Sequence, residues 1–362
     1  MRVGPWRKCY SDPIYFTGFA ARHWYRLSPV SLLLYPFGLV YGLVVRLRRL
    51  LYRLNVVTSV RLPVPVIVVG NLTVGGTGKT PLVLWLAAEL QRQGLRPAIL
   101  CRGYGGADAG PRAVLGDDDP ARVGDEPLLL ATRGGCPVWI GRDRAAAGAE
   151  MLGEHPDRDV IICDDGLQHY RIRRDLEIAV EDERGHGNGL LLPAGPLREP
   201  AERPVDATVL NDELADSETA RPGQQRPGRK GIRHSGPGRA FRMHLEPRGF
   251  YFVHDPARAV TVAELSGKRL HAVAGIGNPQ RFFALLKRLG LDPVCHAFPD
   301  HHAYSAADLE FPECDLVLMT EKDAVKCARS GRPDLVALRV DAMLEPAFSD
   351  FLSKRLHGRA PA

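Results

Sequence analysis

The rhythm of apolar and polar positions changes three times along this chain. Residues 27–45, "LSPVSLLLYPFGLVYGLVV", carry no charge, and the basic run "RLRRLLYRL" follows. That length is close to the roughly 20 apolar residues an α-helix needs to cross a bilayer. Arginines lie on both sides, Arg22 and Arg26 before it and Arg46, Arg48, Arg49 and Arg53 after it, so flanking charge assigns no orientation. Pro36 predicts a kink, and no small-residue cleavage site marks a secretion signal. A transmembrane anchor, a buried core helix and a helix lying in the headgroup layer all satisfy the pattern. The headgroup reading fits best, because Tyr10, Tyr15, Phe16, Phe19, Trp24, Tyr25, Tyr35, Phe37 and Tyr41 supply the amphipathic rings that settle at an interface.

From Pro63 onward, β-branched apolar runs alternate with helical periodicity. "VPVIVVG" (64–70), "RPAILC" (96–101), "CPVWIG" (136–141), "DVIIC" (159–163), "LEIAVEDE" (176–183) and "DATVLND" (206–212) read as strands. "PLVLWLAAELQRQG" (81–94), "DEPLLLATRGG" (125–135) and "DRAAAGAEMLGEH" (143–155) read as helices between them. Continuous apolar strands alternating with helices predict an α/β fold, a doubly wound and mostly parallel sheet with helices on both faces. Residues 213–240 break this rhythm with a Pro-, Gly- and Arg-rich stretch, expected to be a loop. The α/β pattern resumes in "KRLHAVAGIGNPQRFFALLKRLG" (268–290) and "DLVLMTEKDAVKC" (315–327). The expected organisation is a membrane-associating segment (1–58), a nucleotide-binding domain (59–212), a linker (213–262) and a smaller C-terminal α/β domain (263–362).

Charge and cysteines narrow the class. The chain has 362 residues and a net charge of +6. Its first 60 residues hold nine Lys/Arg against one acid, Asp12, a local +8, so the rest is net acidic by two. Basic character concentrated beside the apolar run points to an anionic membrane surface and away from nucleic acid. The seven cysteines are dispersed with no Cys-x-x-Cys pair, which fits reduced thiols in a cytoplasmic setting rather than a disulfide framework or a zinc site.

The chemistry gathers in loops after strands. "GNLTVGGTGKTP" follows the first strand and opens a helix, the context of a phosphate-binding loop. Thr73, Val74, Gly75, Gly76, Thr77 and Gly78 form the loop. Their inward N–H groups and the helix N-terminus favour phosphate. Lys79 reaches the terminal phosphates and the Thr80 hydroxyl suits Mg²⁺. Thr73 stands where the consensus has its first glycine. Asp164 and Asp165 follow the strand "VIIC", where an acid holds the metal in such folds, although two acids there also suit helix capping. Gln168 and His169 fall one turn later. Asp125 sits at an N-cap position and is either a cap or a carboxylate able to accept a hydroxyl proton. In "FPDHHAY", Asp300, His301 and His302 lack further ligands at zinc spacing, and a histidine with a carboxylate suits acid–base work. Arg102 and Tyr104 in "RGYGG", with Arg198 and Glu199 in "LPAGPLREP", lie in loops suited to phosphate or metal contacts.

Taken together, "GNLTVGGTGKTP", "RGYGG", "VGDEP", "DDGLQH", "LPAGPLRE", "AGIGNPQRFF", "FPDHHAY" and "TEKDAVK" resemble, in order, the bacterial tetraacyldisaccharide 4'-kinase family of lipid A biosynthesis. The resemblance spans about residues 60–327. It implies an ATP-dependent kinase on the cytoplasmic face of a Gram-negative inner membrane, acting on the 4'-hydroxyl of a lipid-linked glucosamine disaccharide 1-phosphate. It also implies a P-loop core joined to a smaller α/β domain by a β-ribbon, with no obligate protein partner expected. By the same resemblance, Lys79 and Thr80 are the loop lysine and metal-binding hydroxyl, Asp164 and Asp165 the metal pair, and Glu199 an acid near the metal. Asp125 corresponds to the base, working with a second-domain histidine, for which His301 is the choice and His302 the reserve. The insert at 213–240 is longer than this resemblance leads one to expect.

Two nucleotide-binding rivals fit the loop less well. Partitioning-type switch ATPases carry a lysine before the paired glycines, where this chain has Val74. "TEKD" (320–323) resembles a guanine-recognition motif, but its lysine and aspartate are adjacent.

Overall fold

The computed structural model describes residues 23–108, 110–212 and 238–357. The expectations that rested on residues 1–22 and 213–237 lie outside the described residues. Those described fall into two compact units, one holding the chain as far as Glu246 and again from Asp341, the other holding Pro247–Val340.

The apolar run forms a helix over Pro29–Arg53, started by a capping box in which Ser28 and Ser31 satisfy each other's otherwise unpaired N–H groups. Only Ser31, Gly38 and Gly42 of this helix are buried, so the core-helix reading does not hold. The two glycines let the helix approach the loop after residue 190. A Cβ on Gly42 would stand 2.6 Å from Leu191 Cδ1, and one on Gly38 would stand 3.1 Å from the Leu191 carbonyl. Leu32, Leu33, Phe37, Val40, Leu43, Val44 and Leu47 remain exposed. By length and composition the helix is apolar enough to cross a membrane.

The first unit is built on strands β1 (Val66–Gly70), β2 (Pro97–Cys101), β3 (Arg112–Ala113), β4 (Val138–Ile140), β5 (Val160–Cys163), β6 (Leu176–Asp182) and β7 (Ala207–Asn211), with the start of β8 (Arg239–Phe252). Their order is β8-β7-β6-β1-β5-β2-β4-β3. Every neighbouring pair is parallel except β3–β4. Strand β1 is buried throughout, which is why its sequence is continuously apolar rather than alternating. Leu82, Val83 and Leu86 of the helix Lys79–Arg92 are also buried. A sheet of this kind brings the loops after its strands to one edge, the usual ligand edge of an open α/β fold.

The second unit has its own core around Phe250, Leu265, Phe282, Phe283, Leu286 and Leu318. Strand β12 (Leu316–Thr320) lies between β10 (Leu270–Ala274) and β13 (Leu335–Leu344), β10 also pairs with β11 (Val294–Ala297), and all three pairings are parallel. The end of β8 folds back on β9 (Asp255–Val260) as a hairpin.

The observed limits differ from the expected C-terminal domain at both ends. The unit begins at Pro247, and the chain returns to the first unit at Asp341. The helix Pro346–His357 packs there because Phe348, which is fully buried, meets Trp85 and Phe241 at ring-centroid distances of 5.5 and 4.9 Å. Strand β3 and the short helix Pro120–Val123 were not expected, since residues 107–122 carry no apolar period.

Candidate active site

The glycine-rich loop leaves the carboxyl end of β1 and is clasped from three directions. Inside it, Asn71 Nδ2 donates to the Gly75 carbonyl at 3.0 Å, and Lys79 Nζ donates to Asn71 Oδ1 at 3.2 Å. From the end of β7, Asn211 Nδ2 donates to the Thr77 carbonyl at 2.9 Å. After β6, Arg184 donates to the Gly76 carbonyl and pairs with Asp182. These donors engage the Gly75, Gly76 and Thr77 carbonyls, and a glycine-rich turn fixed in this way suits its N–H groups to an anion. Gly75 and Gly78 have φ of 108° and 92°, values that side chains resist. Gly78 is the N-cap of the helix that starts at Lys79. Thr77 Oγ1 is buried without a hydrogen-bond partner, and Thr80 follows Lys79 in the first turn. The loop's entry is extended rather than curled. Thr73 bridges to Leu197, Val74 N donates to the Pro196 carbonyl at 2.9 Å, and Arg198 N donates to the Leu72 carbonyl at 2.7 Å.

The two aspartates follow β5 as expected, in different electrostatic settings. Lys79 Nζ lies 3.5 Å from Asp165 Oδ1, and Arg198 Nη1 donates to both Asp165 oxygens at 3.1 Å. Burial pushes the Asp165 carboxyl up, but Lys79 and Arg198 outweigh it and hold it below its ordinary value. Asp164 is buried more deeply and moves the other way, pushed up to about 7 by burial and then by the neighbouring Glu126 charge, against Lys79. Asp165 holds a left-handed φ of 45°. Buried Arg144 fixes the turn by donating to the Asp164 and Asp165 carbonyls at 2.7 and 3.0 Å. Gln168 belongs to the same group, donating to the Asn71 carbonyl and accepting from Arg198. His169 does not join it. Its Nε2 is buried without a partner, and burial followed by the Arg144 charge lowers its pKa to about 4.

Glu199, expected as an acid near the metal, is buried, and its Oε1 has no hydrogen-bond partner. Adjacent residues point opposite ways, so when Arg198 faces Asp165, Glu199 turns inward. There it accepts from Tyr170 Oη at 2.6 Å and pairs with Arg203 at 2.8 Å, both charged side chains being 1% exposed.

The turns at 102–106 and 122–126 meet backbone to backbone. A Cβ on Gly106 would stand 2.3 Å from the Arg122 carbonyl, and one on Gly124 2.6 Å from the Tyr104 carbonyl. Gly124, not Asp125, is the N-cap here. Asp125 is the first residue of the helix Asp125–Arg133, and its buried carboxylate accepts the Glu126 N–H at 2.8 Å. The charge of Glu126 reaches Asp164, so this turn borders the aspartate pair. Arg102 and Tyr104 are exposed on its surface.

In the second unit, His301 has φ 60° and its N–H donates to Asp300 Oδ1 at 3.1 Å. Lys322 Nζ donates to Asp300 Oδ1 at 3.1 Å and lies 3.4 Å from His301 Nε2. His302 is occupied elsewhere, with Nε2 3.2 Å from Asp308 and its ring stacked on Phe298. Sequence reasoning missed Lys322, along with Asn71, Asn211, Arg144 and Arg184. The asparagines had one readable signal, a polar residue directly at the end of an apolar strand.

Among the described residues no group of three or more His, Cys, Asp or Glu side chains is placed to hold a metal. Thr80, Asp164 and Asp165 offer an oxygen-only partial set, which suits Mg²⁺ carried in with substrate phosphates. The unpartnered Thr77 hydroxyl and the clasped loop carbonyls fit a phosphate-bearing nucleotide.

The whole chain is similar to known proteins. The family model described as tetraacyldisaccharide-1-P 4'-kinase matches residues 30–357. A tetraacyldisaccharide 4'-kinase of Azoarcus sp. is 48% identical over 95% of this chain and 97% of its own length. The protein of that name from Dechloromonas aromatica is 46% identical over 94% and 98%. The crystal structure of LpxK from Aquifex aeolicus in complex with ATP is 31% identical, with a TM-score of 0.73, covering 90% of this chain and 99% of that one.

Proposed function

The chain belongs to the tetraacyldisaccharide-1-P 4'-kinase family, and on that premise we propose the following roles for its residues. The protein is an ATP-dependent kinase of lipid A biosynthesis that phosphorylates the 4'-hydroxyl of a tetraacylated disaccharide 1-phosphate. The observation that carries the assignment of roles is the group of Lys79, Asp165, Arg198 and Gln168 around the clasped loop. Loop N–H groups from Gly75 to Gly78 bind the phosphates, the Val74 N–H being taken by the Pro196 carbonyl, and Lys79 neutralises charge on the transferred group. Thr80, Asp164 and Asp165 would hold Mg²⁺, which supplies further charge neutralisation when bound. Arg198 keeps Asp165 ionised and oriented. Asp125 takes the acceptor hydroxyl's proton, and His301, oriented by Asp300 and Lys322, assists in that proton transfer. Arg102 and Tyr104 contact substrate from the exposed turn. The exposed apolar face of the helix Pro29–Arg53 seats the enzyme on the cytoplasmic surface of the inner membrane, where its lipid acceptor resides.

The partitioning-type alternative loses ground to the family match and to Val74. Purified protein with Mg-ATP is expected to consume ATP only when the lipid disaccharide acceptor is supplied. Equal turnover without acceptor would refute the kinase reading.

A further inference from the structure

The edge of the first sheet opposite the phosphate loop carries a basic cavity that the kinase chemistry does not use. It has a volume of about 410 Å³ and is lined by Arg61, Leu62, Val64, Val66, Arg173, Arg174 and Asp175. It opens at the amino ends of β1 and β6. The catalytic loop leaves the carboxyl end of β1, about 15 Å away along a five-residue strand.

Its charges are unbalanced in a way that calls for an anion. Val60 and Ile172 form a parallel bridge, with Arg173 N donating to the Val60 carbonyl at 2.8 Å. The next residues along, Arg61 and Arg173, are therefore lateral neighbours lining the same cavity. Like charges so placed repel, yet among the described residues neither guanidinium has an acidic partner. The other two charged groups are engaged. Arg174 donates to Glu177 and to the Leu167 and His169 carbonyls, and Asp175 accepts the Val66 N–H at 2.9 Å.

Exposed aliphatic residues lead into the cavity along the chain. The long helix ends at Arg53, and Leu54, Val56, Val57 and Val60 lie exposed between its end and Arg61. A basic cavity beside exposed aliphatic side chains matches a phosphate joined to acyl chains better than a free anion. We propose that Arg61 and Arg173 form a binding site for the phosphate headgroup of an anionic membrane lipid, separate from the catalytic centre. The bound lipid fixes the enzyme's seating on the bilayer. This inference does not depend on the roles given above to the catalytic residues.

The test uses the full chain and dihexanoyl phosphatidylglycerol kept monomeric, titrated by calorimetry. Stoichiometric binding is expected. The double variant Arg61→Gln/Arg173→Gln should weaken it at least tenfold, given the roughly 1 kcal/mol that each basic residue gains from anionic lipid. Dihexanoyl phosphatidylcholine should not bind. The charge-matched variant Lys268→Gln/Lys287→Gln, altered on the second unit's exposed surface, should bind as the parent does. An acceptor-saturated turnover within twofold of the parent confirms that Arg61→Gln/Arg173→Gln folds. Inorganic phosphate binding as tightly as the lipid would overturn the lipid assignment. So would equal loss in both double variants, absence of binding, or a raised KM for the disaccharide acceptor in place of lost lipid binding.

Discussion

Replacing Gly78 by alanine separates two costs that the loop geometry makes calculable. Gly78 has φ +92°, and an added Cβ would meet Asn211 Nδ2 at 2.2 Å. Left-handed backbone costs an alanine about 1–2 kcal/mol. Asn211 is fully buried and donates to the Thr77 carbonyl at 2.9 Å. Displacing it leaves buried polar atoms poorly satisfied, at about 1–3 kcal/mol more. Gly94 supplies the control, because it is also left-handed, at φ +84°, with nothing within 4 Å of an added Cβ. Gly94→Ala should therefore show the backbone cost alone, about 1–2 kcal/mol. Urea unfolding followed by tryptophan fluorescence measures both, since Trp85 lies in the helix that the loop starts. A cycle with Asn211→Ala isolates the collision. The double variant should be more stable than the sum of the singles by about 1–3 kcal/mol, because the steric conflict is then absent. Gly78→Ala should also weaken ATP binding at least tenfold while Gly94→Ala leaves it unchanged. Additivity within about 0.5 kcal/mol would show that the collision is not what makes Gly78 necessary.

Four other expectations follow from the same contacts. Asp125→Asn and His301→Ala should lower kcat by about 10²–10⁴ with little change in ATP affinity, and a collapse of nucleotide binding would show that neither serves proton transfer. Lys322→Met should lower kcat about tenfold by loosening Asp300 and His301, with Lys322→Arg recovering part of it, whereas an unchanged pH–rate profile would leave Lys322 structural. Glu89, held by Arg92, Ser349 and Gln93, has its pKa lowered to about 2, with the Arg92 hydrogen bond the largest cause. A depressed folded value stabilises above the ordinary 4.5 and loses that contribution as pH falls towards 2, so the deficit of Glu89→Gln, about 1–3 kcal/mol at pH 7, should close across that window; a deficit constant with pH would contradict the account. Leu43→Lys with Val44→Lys, both on the helix's exposed face, should cut flotation with vesicles at least tenfold, and undiminished flotation would remove this face from the membrane contact.

The strands were legible in the sequence because a buried parallel strand is apolar at every position, and Val66–Gly70 and Val160–Cys163 are buried at every residue. The residues after them were legible for a related reason, since glycines and acids directly behind such runs have few structural uses. Less could be read where function depends on which distant loop arrives. Nothing near Asn211 or Arg184 in the sequence says that they clasp the loop carbonyls at Thr77 and Gly76. Lys322 looked like part of an imperfect guanine motif until the fold brought it to Asp300. Which of the neighbouring Arg198 and Glu199 turns inward was not legible either, because only the packing of Tyr170 and Arg203 decides it. The return of the chain at Asp341 was missed for a similar reason. The aromatic contacts of Phe348 with Trp85 and Phe241 join segments more than a hundred residues apart.

The departure of Thr73 from the phosphate-loop consensus has a structural cause in the segment around residue 197. A glycine in that slot serves a loop that must curl at once, but here the loop's entry is extended and pairs with Pro196–Arg198 through the Thr73–Leu197 bridge and the bonds at Val74 and Leu72. An extended, partly buried position suits a β-branched residue better than glycine, and Thr73 is 8% exposed. The same segment carries Arg198 to Asp165 and rests against the long helix, whose Tyr41 hydroxyl donates to the Arg198 carbonyl at 3.0 Å and whose Gly38 approaches Leu191. The apolar helix, the 190–198 segment and the nucleotide loop are therefore joined by direct contacts through consecutive residues. The threonine that weakened the motif match is part of the joint between them.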